Sequence, residues 1–403
     1  MNSSLRFCLF VVMLLPFTVV SSGGDGISAN YIYAILIPII AKFTFRKNFH
    51  AFFYIIYLAI SGLIGFFINS LLIGVGLDLI LRQFVSLFVA LLPTIFLFFD
   101  LSKYHINFKN AVIFCSVFYS IYALANFLIQ SSLGVVNPFE IKNVLSVIVP
   151  DWPQRYILVL FAGLFFTLDI TRRHSGIYVC MRIIILSAIL ITFLRAAYLA
   201  LIVGFLFFQL SDLYFKKNYF GQMKNVKIRI GIKTLGILIG VVGIGVFFIN
   251  SDESNSIFEI LNYSFDSIGN LLSGKDDVNI SDETRLSIFS VILNALTISP
   301  LTGFGGAGVY IFNPKYASSH NQYFDFLIRF GILGLLFFLY FTFRIFRYFW
   351  TRDPAVIGIV ACYLIFGIAH ETTKYSYGGV VFFYLLSLTY TKVHSKEMFL
   401  SCR

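Results

Sequence analysis

Charged residues are scarce in this chain. They make up 12% of its 403 residues, whereas an ordinary soluble domain contains roughly 25%. Hydrophobic residues account for 59% and the mean hydropathy is +0.87, so a water-soluble fold could not bury all the apolar side chains. Many apolar runs approach the roughly 20 residues that a membrane-spanning helix needs, and the short apolar/polar ladders of barrel strands are not the dominant pattern. The sequence predicts an all-α polytopic membrane protein.

Cysteine is also rare, and none of the five cysteines lies in the longest polar segment, residues 251–329. They occur in apolar runs or in the last residues, with neither a disulfide framework nor the spacing of a metal site. The acidic pair Asp276-Asp277 superficially resembles a metal-binding pair, but its Ser, Gly and Asn neighbours are more typical of a solvated loop. We therefore expect no metal and no cofactor.

The apolar runs predict about twelve membrane spans, with edges uncertain by a few residues. The first run follows Arg6 and is followed closely by a second, so we interpret it as a span rather than as a cleaved signal peptide. The predicted spans are residues 7–22, 27–42, 51–69, 79–99, 110–130, 155–171, 176–194, 196–213, 234–250, 330–348, 355–371 and 377–392.

The net charge of +11 reflects topology rather than nucleic-acid binding, because the basic residues lie in short segments between apolar runs. With both termini in the cytoplasm, most Lys and Arg fall on the inner side and most Asp and Glu on the outer side. This arrangement predicts three regions. Residues 1–250 form the first nine spans, 251–329 a long outer loop, and 330–403 the last three spans with a cytoplasmic tail.

The end of the long loop carries several local signals. Ser281 and the two acids after it indicate a helix start, and the run to Ser299 is typical of a helix on the membrane surface or on the bundle. Pro300 ends this helix, and a glycine-rich turn at 303–308 permits close backbone approach. The apolar residues near one face of the helix are Leu286, Phe289, Leu293 and Leu296.

This part of the chain resembles the signature region of the O-antigen ligase and polymerase superfamily. The residues that carry the resemblance are Thr284-Arg285, Ser299-Pro300-Leu301-Thr302-Gly303-Phe304-Gly305, Ser319-His320-Asn321-Gln322-Tyr323 and Arg329-Phe330-Gly331-Ile332-Leu333-Gly334. Residues 191–200 are similar to the family's threonine-x-serine-arginine stretch, with Leu194 in place of the serine and Arg195 kept. The resemblance covers roughly residues 180–350.

The resemblance implies a metal-independent glycosyltransferase of the bacterial inner membrane, with the long loop in the periplasm. Its donor and acceptor would be polyprenyl diphosphate-linked oligosaccharides, and its further partners membrane lipid, a chain-length regulator and a flippase. We favour an O-antigen polymerase, which transfers the growing chain to the next lipid-linked repeat. The alternatives are an O-antigen ligase, which transfers the chain to lipid A-core, and a polysaccharide-lipid flippase or other transporter.

The same resemblance assigns roles to individual residues. Arg195 and Arg285 would be catalytic residues that contact the diphosphate or the saccharide, because a guanidinium offers planar donors and keeps its charge. His320 would activate or position the acceptor hydroxyl, since histidine accepts a proton near neutral pH. Substrate binding would involve Arg329, Asn321 and Tyr323.

Each of these residues also has a structural alternative. The arginines can extend towards lipid head groups from helix ends, and His320 can simply hydrogen-bond the helix that follows it. Asn321 can cap a helix that begins near Tyr323. His370, beside Glu371, is a secondary candidate for which a solvated helix end is the simpler interpretation.

Overall fold

The computed structural model describes eleven stretches of the chain and is mostly helical there. These are residues 3–14, 44–72, 92–132, 153–169, 175–192, 194–220, 280–306, 308–312, 319, 321–370 and 376–390. The α-helices in these stretches are α1 Ser3–Leu14, α2 Phe49–Leu72, α3 His105–Ser132, α4 Pro153–Asp169, α5 Ser175–Leu190, α6 Arg195–Phe220, α7 Ile280–Ile298, α8 Gln322–Phe349, α9 Pro354–Phe366 and α10 Ser376–Leu388.

Three helical segments are long and apolar enough to cross a membrane, namely Ser102–Ala125, Ala196–Phe215 and Gln322–Phe349. Shorter apolar helices overlap six further predicted spans. The predicted spans 27–42 and 234–250 lie outside the described residues. The chain is therefore a helical membrane protein, whereas the count of twelve spans and the three-region division stay predictions.

The predicted span 79–99 is described only at its end, and that end is not α-helical. A 3-10 helix, Leu92–Phe98, leads into the strand β2, Phe99–Asp100, which pairs antiparallel with β1, Thr44–Phe45. Backbone bonding explains the pairing, because the Arg46 N–H donates to the Phe98 carbonyl at 2.7 Å and continues the ladder. The all-α expectation is wrong for these four strand residues.

The centre of the bundle is formed by α4, α9 and α10, whose described side chains are buried almost throughout. A helix that is apolar on all sides is expected in such a position. Around it, α6 packs along α9, α3 packs on α1, α4 and α5, and α8 contacts α2, α7 and α9. The outer face of α6 exposes Leu199, Ile202, Leu206, Leu210 and Leu213, as a lipid-facing helix does.

The predicted helix after Ser281 is present as α7, although it already begins at Ile280, so Ser281 lies in the first turn. Its end before Pro300 is confirmed. The face that packs on the bundle is formed by Ile288, Ile292 and Ala295. Phe289 and Leu293, from the predicted apolar face, are instead 37% and 48% exposed.

Candidate functional site

Asn321 caps the N-terminus of α8 and ties it to the end of α9. Its side-chain oxygen accepts hydrogen bonds from the backbone N–H groups of Tyr323 at 2.9 Å and Phe324 at 3.1 Å. Its side-chain nitrogen donates to the carbonyl of Ile368 at 2.7 Å. The capping alternative is thus present in the structure, and it uses both ends of the amide. A contact of Asn321 with substrate stays a prediction.

Two further contacts hold the start of α8 against α9. The Tyr323 hydroxyl donates to the Leu364 carbonyl at 2.8 Å, and the Gln322 N–H donates to the Gly367 carbonyl at 2.7 Å. Because the hydroxyl of Tyr323 is used within the protein, its described role is to position α8. The sequence prediction that Tyr323 binds substrate is not tested by this contact.

Arg329 is buried, with only 6% of its surface exposed. Its Nε donates to Asp325 one turn earlier, at 2.6 Å, in a salt bridge between two buried side chains. Gly308 packs against the guanidinium, since a Cβ at that position would lie 3.2 Å from its carbon and Nε. Sequence reasoning did not single out Asp325, although its i,i+4 spacing from Arg329 was visible.

Helix α8 is broken at Gly331, which adopts φ 66° and ψ −169°. In a continuous helix the Ile328 carbonyl would accept the N–H of Ile332. Here the Ile332 N–H donates to the Pro300 carbonyl at 2.8 Å, and the Ile328 carbonyl accepts the Phe304 N–H at 2.7 Å. The glycine-rich loop therefore satisfies the backbone groups that the break sets free, as buried irregular backbone requires.

Hydroxyl groups of α2 donate hydrogen bonds both to the glycine-rich loop and to the break in α8. Tyr57 donates to the carbonyls of Phe330 and Leu301, the second at 3.0 Å, and Ser61 donates to the Thr302 carbonyl. Gly303, Gly305 and Gly308 have positive φ, which confirms the expected need for glycine in this turn. One turn further along α2, Gly65 leaves space for the backbone of residues 304–305.

The break divides α8 into two parts with different surroundings. Residues 332–349 are 18 residues long and span about 27 Å, which is close to the thickness of a hydrocarbon core. They coincide with the predicted span 330–348. The first part, 322–330, packs instead with α7 and the glycine-rich loop, where Ile328 joins Ile288, Ile292 and Phe304.

Helix α7 runs parallel to the first part of α8. The rings of Phe289 and Phe324 lie 5.1 Å apart, and the far end of α7 reaches the break through Pro300. Arg285 is one turn before Phe289, so its backbone lies about 6 Å further along the axis, at the level of Asn321. The side chain of Arg285 is outside the described part of the structure.

Helix α6 brings the backbone of Arg195 to the same level. It runs antiparallel to α9, because the Cys362 thiol donates to the Ala200 carbonyl at 3.1 Å, and Ser211 contacts the Trp350 carbonyl beyond the other end of α9. Arg195 lies about 7.5 Å beyond Ala200, just as Gly367 lies about 7.5 Å beyond Cys362. The side chain of Arg195 is not among those described.

His320, the predicted base, lies outside the described residues. Its neighbours Ser319 and Asn321 are described, and the Ser319 hydroxyl donates to the Asn321 carbonyl at 2.9 Å. His370 is buried, and its ring stacks on Phe366 at 4.4 Å, so a solvated helix end is the wrong description of this residue. Glu371 and the acidic pair at 276–277 are also outside the described residues.

The starts of α6 and α8, the end of α9 and the first turns of α7 thus lie at the same end of the bundle. The backbones of Arg195, Arg285 and Asn321 lie at this end of the bundle. Arg329 lies deeper, beside the break in α8. In the described stretches no group of three or more His, Cys, Asp or Glu is arranged to hold a metal.

A buried charged network lies at the opposite end, where α4 ends and α3 and α9 begin. Lys109 Nζ contacts Asp169 at 3.0 Å and Asp353 at 2.8 Å, and His105 Nε2 is 3.7 Å from Asp353. Burial alone raises the pKa of the Asp353 carboxyl, but the Lys109 charge outweighs it and holds the pKa below its usual value. Sequence reasoning placed these charges at span edges without pairing them.

Comparisons with known proteins identify one family for the middle of the chain. The family profile described as O-antigen ligase matches residues 180–339, which extend from α5 into α8 and contain the helix starts of α6, α7 and α8. A search of curated proteins finds no match. Members of this family are membrane glycosyltransferase-like enzymes that act on polyprenyl-linked oligosaccharides. The 180–339 segment is thus similar to the O-antigen ligase family, and this match supports the O-antigen ligase/polymerase superfamily.

Proposed function

We propose that the chain is an O-antigen polymerase. It would transfer an oligosaccharide chain from one polyprenyl diphosphate carrier to a repeat unit held on another, at the periplasmic face of the inner membrane. The observation that carries this proposal is the position of the starts of α6, α7 and α8 at the same end of the bundle. Each of these helix starts carries one motif residue, namely Arg195, Arg285 and Asn321.

The reaction needs one new bond and one broken bond. An acceptor hydroxyl oxygen attacks the anomeric carbon of the donor sugar, and the bond between that carbon and the diphosphate oxygen breaks. The polyprenyl diphosphate leaves with the electron pair, and the hydroxyl proton passes to a base. Two demands follow for the protein, which are cationic donors for the diphosphate and a proton acceptor beside the hydroxyl.

Arg195 and Arg285 suit the first demand, because guanidinium groups bind phosphate oxygens with charge-assisted, paired hydrogen bonds. His320 suits the second demand. Its following residue, Asn321, is fixed by three hydrogen bonds, so the backbone beside the histidine has a rigid support. A rigid support matters because a catalytic base must stay within hydrogen-bond reach of its proton.

The distribution of charge supports a periplasmic position for the proposed site. The end of the bundle opposite Asn321 carries Arg46, Lys103, Lys109 and Arg344, whereas the proposed site lies at the other end. The positive-inside rule would place the basic end in the cytoplasm. The proposed site would then face the periplasm, where lipid-linked repeats are polymerised.

The ligase alternative uses the same chemistry with lipid A-core as the acceptor, and the family match is compatible with both. The transporter alternative would be favoured by charged residues facing a central passage. The buried charges at 109, 169 and 353 instead pair with one another at one end of the bundle. This arrangement supports a reaction at the surface over transport through the centre.

The lipopolysaccharide ladder of a strain lacking the gene tests the proposal. A polymerase predicts core carrying a single repeat, and the wild-type gene should restore long chains. Core without any repeat would contradict the polymerase and indicate a ligase or flippase. An unchanged ladder would contradict all three functions for this polymer.

Variants supplied on a plasmid test the contribution of individual residues to chain extension. His320→Ala should reduce chain extension by about 10²–10⁴-fold, the usual contribution of general acid–base catalysis. Arg352→Gln is the matched control, because Arg352 lies at the opposite end on Tyr348, and it should restore the ladder fully.

A further inference from the structure

A cluster of basic and aromatic side chains surrounds Tyr390, just after α10. The Arg344 guanidinium lies 3.8 Å from the centre of the Tyr390 ring and that of Arg46 lies 5.7 Å from it. The His50 ring is 5.9 Å from Tyr390 and 6.2 Å from Tyr340. These five residues, which we call the Tyr390 cluster, join the ends of α8 and α10 to the start of α2.

Within the described residues, no salt bridge balances the positive charge of the Tyr390 cluster. Among the described carboxylates, none forms a salt bridge with Arg46 or Arg344. Burial lowers the pKa of the Arg46 guanidinium, and the charge of Asp100 opposes this effect only in part. Two guanidinium groups held around one ring therefore create a local positive potential at this end of the bundle.

Hydrogen-bonding capacity is also left over in the cluster. Arg46 uses Nη2 to donate to the carbonyls of Leu97 at 3.4 Å and Ser387 at 3.2 Å. Its Nε and Nη1, and the Tyr390 hydroxyl, have no hydrogen-bond partner within the described structure. Buried donors of this kind call for an acceptor, and a charged acceptor satisfies a guanidinium best.

The surroundings of the cluster are apolar on one side and basic on the other. Phe53 on α2 and Phe343 on α8 are 62% and 63% exposed, and both helices continue from there with exposed apolar faces. Lys47 and Arg347 are exposed next to the cluster. Aromatic side chains beside basic ones mark the level of the lipid head groups.

We propose that the Tyr390 cluster binds the phosphate of an anionic phospholipid. The phosphate would accept from the guanidinium groups of Arg46 and Arg344, with His50 at the exposed rim. The acyl chains would lie along the apolar faces around Phe53 and Phe343. A free phosphate ion would use the basic groups but not these apolar faces, so the combination favours a lipid. Basic pockets between membrane helices recognise lipid head groups in this way. The site is separate from the proposed transferase site, which lies at the opposite end of α8.

Lipid binding to the purified full-length protein in mild detergent tests the proposal. Native mass spectrometry would count bound phosphatidylglycerol and, separately, phosphatidylcholine. The wild type should retain phosphatidylglycerol preferentially. The double variant Arg46→Gln/Arg344→Gln should bind it about 30-fold more weakly, since each basic residue near the membrane surface contributes roughly a factor of five. Arg352→Gln, at the same end but on its own Tyr348, should bind like the wild type.

Two additional experiments separate lipid binding from misfolding and from simple anion binding. His50→Glu changes an exposed side chain, so it should fold normally and still weaken phosphatidylglycerol binding. Inorganic phosphate at millimolar concentration should not displace the lipid. Equal retention by the wild type and both cluster variants would overturn the proposal. Equal losses in the cluster variants and Arg352→Gln would overturn it too, as would displacement by inorganic phosphate, which would indicate a simple anion site.

Discussion

Replacing Gly331 by alanine should destabilise the protein at the point where α8 is broken. The backbone there has φ 66° and ψ −169°, a combination that is essentially restricted to glycine and costs other residues about 1–3 kcal/mol. The added Cβ would also overlap the carbonyl of Leu301. Relief of that overlap would shift the glycine-rich loop and cost about 1–3 kcal/mol more. We expect a total loss of at least about 2 kcal/mol.

The assay is the temperature at which the detergent-solubilised protein loses its monodisperse size-exclusion peak. Gly331→Ala should lower this temperature by several degrees and shorten the polysaccharide chains made in cells, because Asn321 is positioned by the first part of α8. Gly176→Ala is the matched control, since nothing lies within 4 Å of its added Cβ. Wild-type stability in Gly331→Ala, equal to that of the control, would refute the account of the break.

Three further variants probe separate contacts. Tyr57→Phe removes a hydroxyl that donates to two carbonyls beside the break, so unfolding should become easier by about 1–3 kcal/mol in the same assay, and unchanged stability would argue against that contact. Asn321→Ala removes the cap of α8 and should cost about 0.5–2 kcal/mol, whereas Asn321→Asp should recover part of it. Asp353→Asn removes the carboxylate closest to the buried Lys109 charge and should lower the free energy of unfolding by about 3–5 kcal/mol. The pKa of Asp353 is lowered in the folded protein. Its ionised carboxylate therefore stabilises the fold at any pH above the ordinary pKa, and this stabilisation is lost as the pH falls through the lowered pKa of the folded state. The wild type should therefore lose stability only below about pH 4, a step that Asp353→Asn should lack.

Much of the helical framework could be predicted from apolar runs alone. The runs that became α9 and α10 are apolar on all sides, and burial in the bundle is the environment such a pattern requires. The end of α7 at Pro300 and the positive-φ glycines after it were also predictable, because both follow from local backbone geometry. The capping alternative for Asn321 belongs to the same class of local signal.

The contacts that organise the site could not be predicted in the same way. Gly331 lies within one of the motifs that resemble the family, but nothing local indicates that the backbone groups freed at this residue bond to the loop around Pro300. The partner of Lys109 is 244 residues away at Asp353, so their pairing depends on how the helices pack. Each of these charges alone resembles an ordinary residue at a span edge, which is why sequence reasoning did not join them.

The face of α7 that packs on the bundle shows a related limit. Leu293 and Ile292 are both apolar but lie on different faces of α7. The spacing of apolar residues is compatible with burial of either face. The structure buries the face with the smaller residue Ala295, which allows close packing against the first part of α8. Shape complementarity made that choice, and shape is not visible in a hydrophobic pattern.

Chain transfer by the purified protein is the most direct test of the proposed function. The protein would be placed in liposomes with a single polyprenyl diphosphate-linked repeat as both donor and acceptor. We predict products with two or more repeats on one carrier, released polyprenyl diphosphate in matching amount, and at least about 100-fold slower transfer by His320→Ala. Transfer to lipid A-core alone, or no product longer than one repeat, would contradict the polymerase, and a wild-type rate in His320→Ala would contradict the role of the histidine.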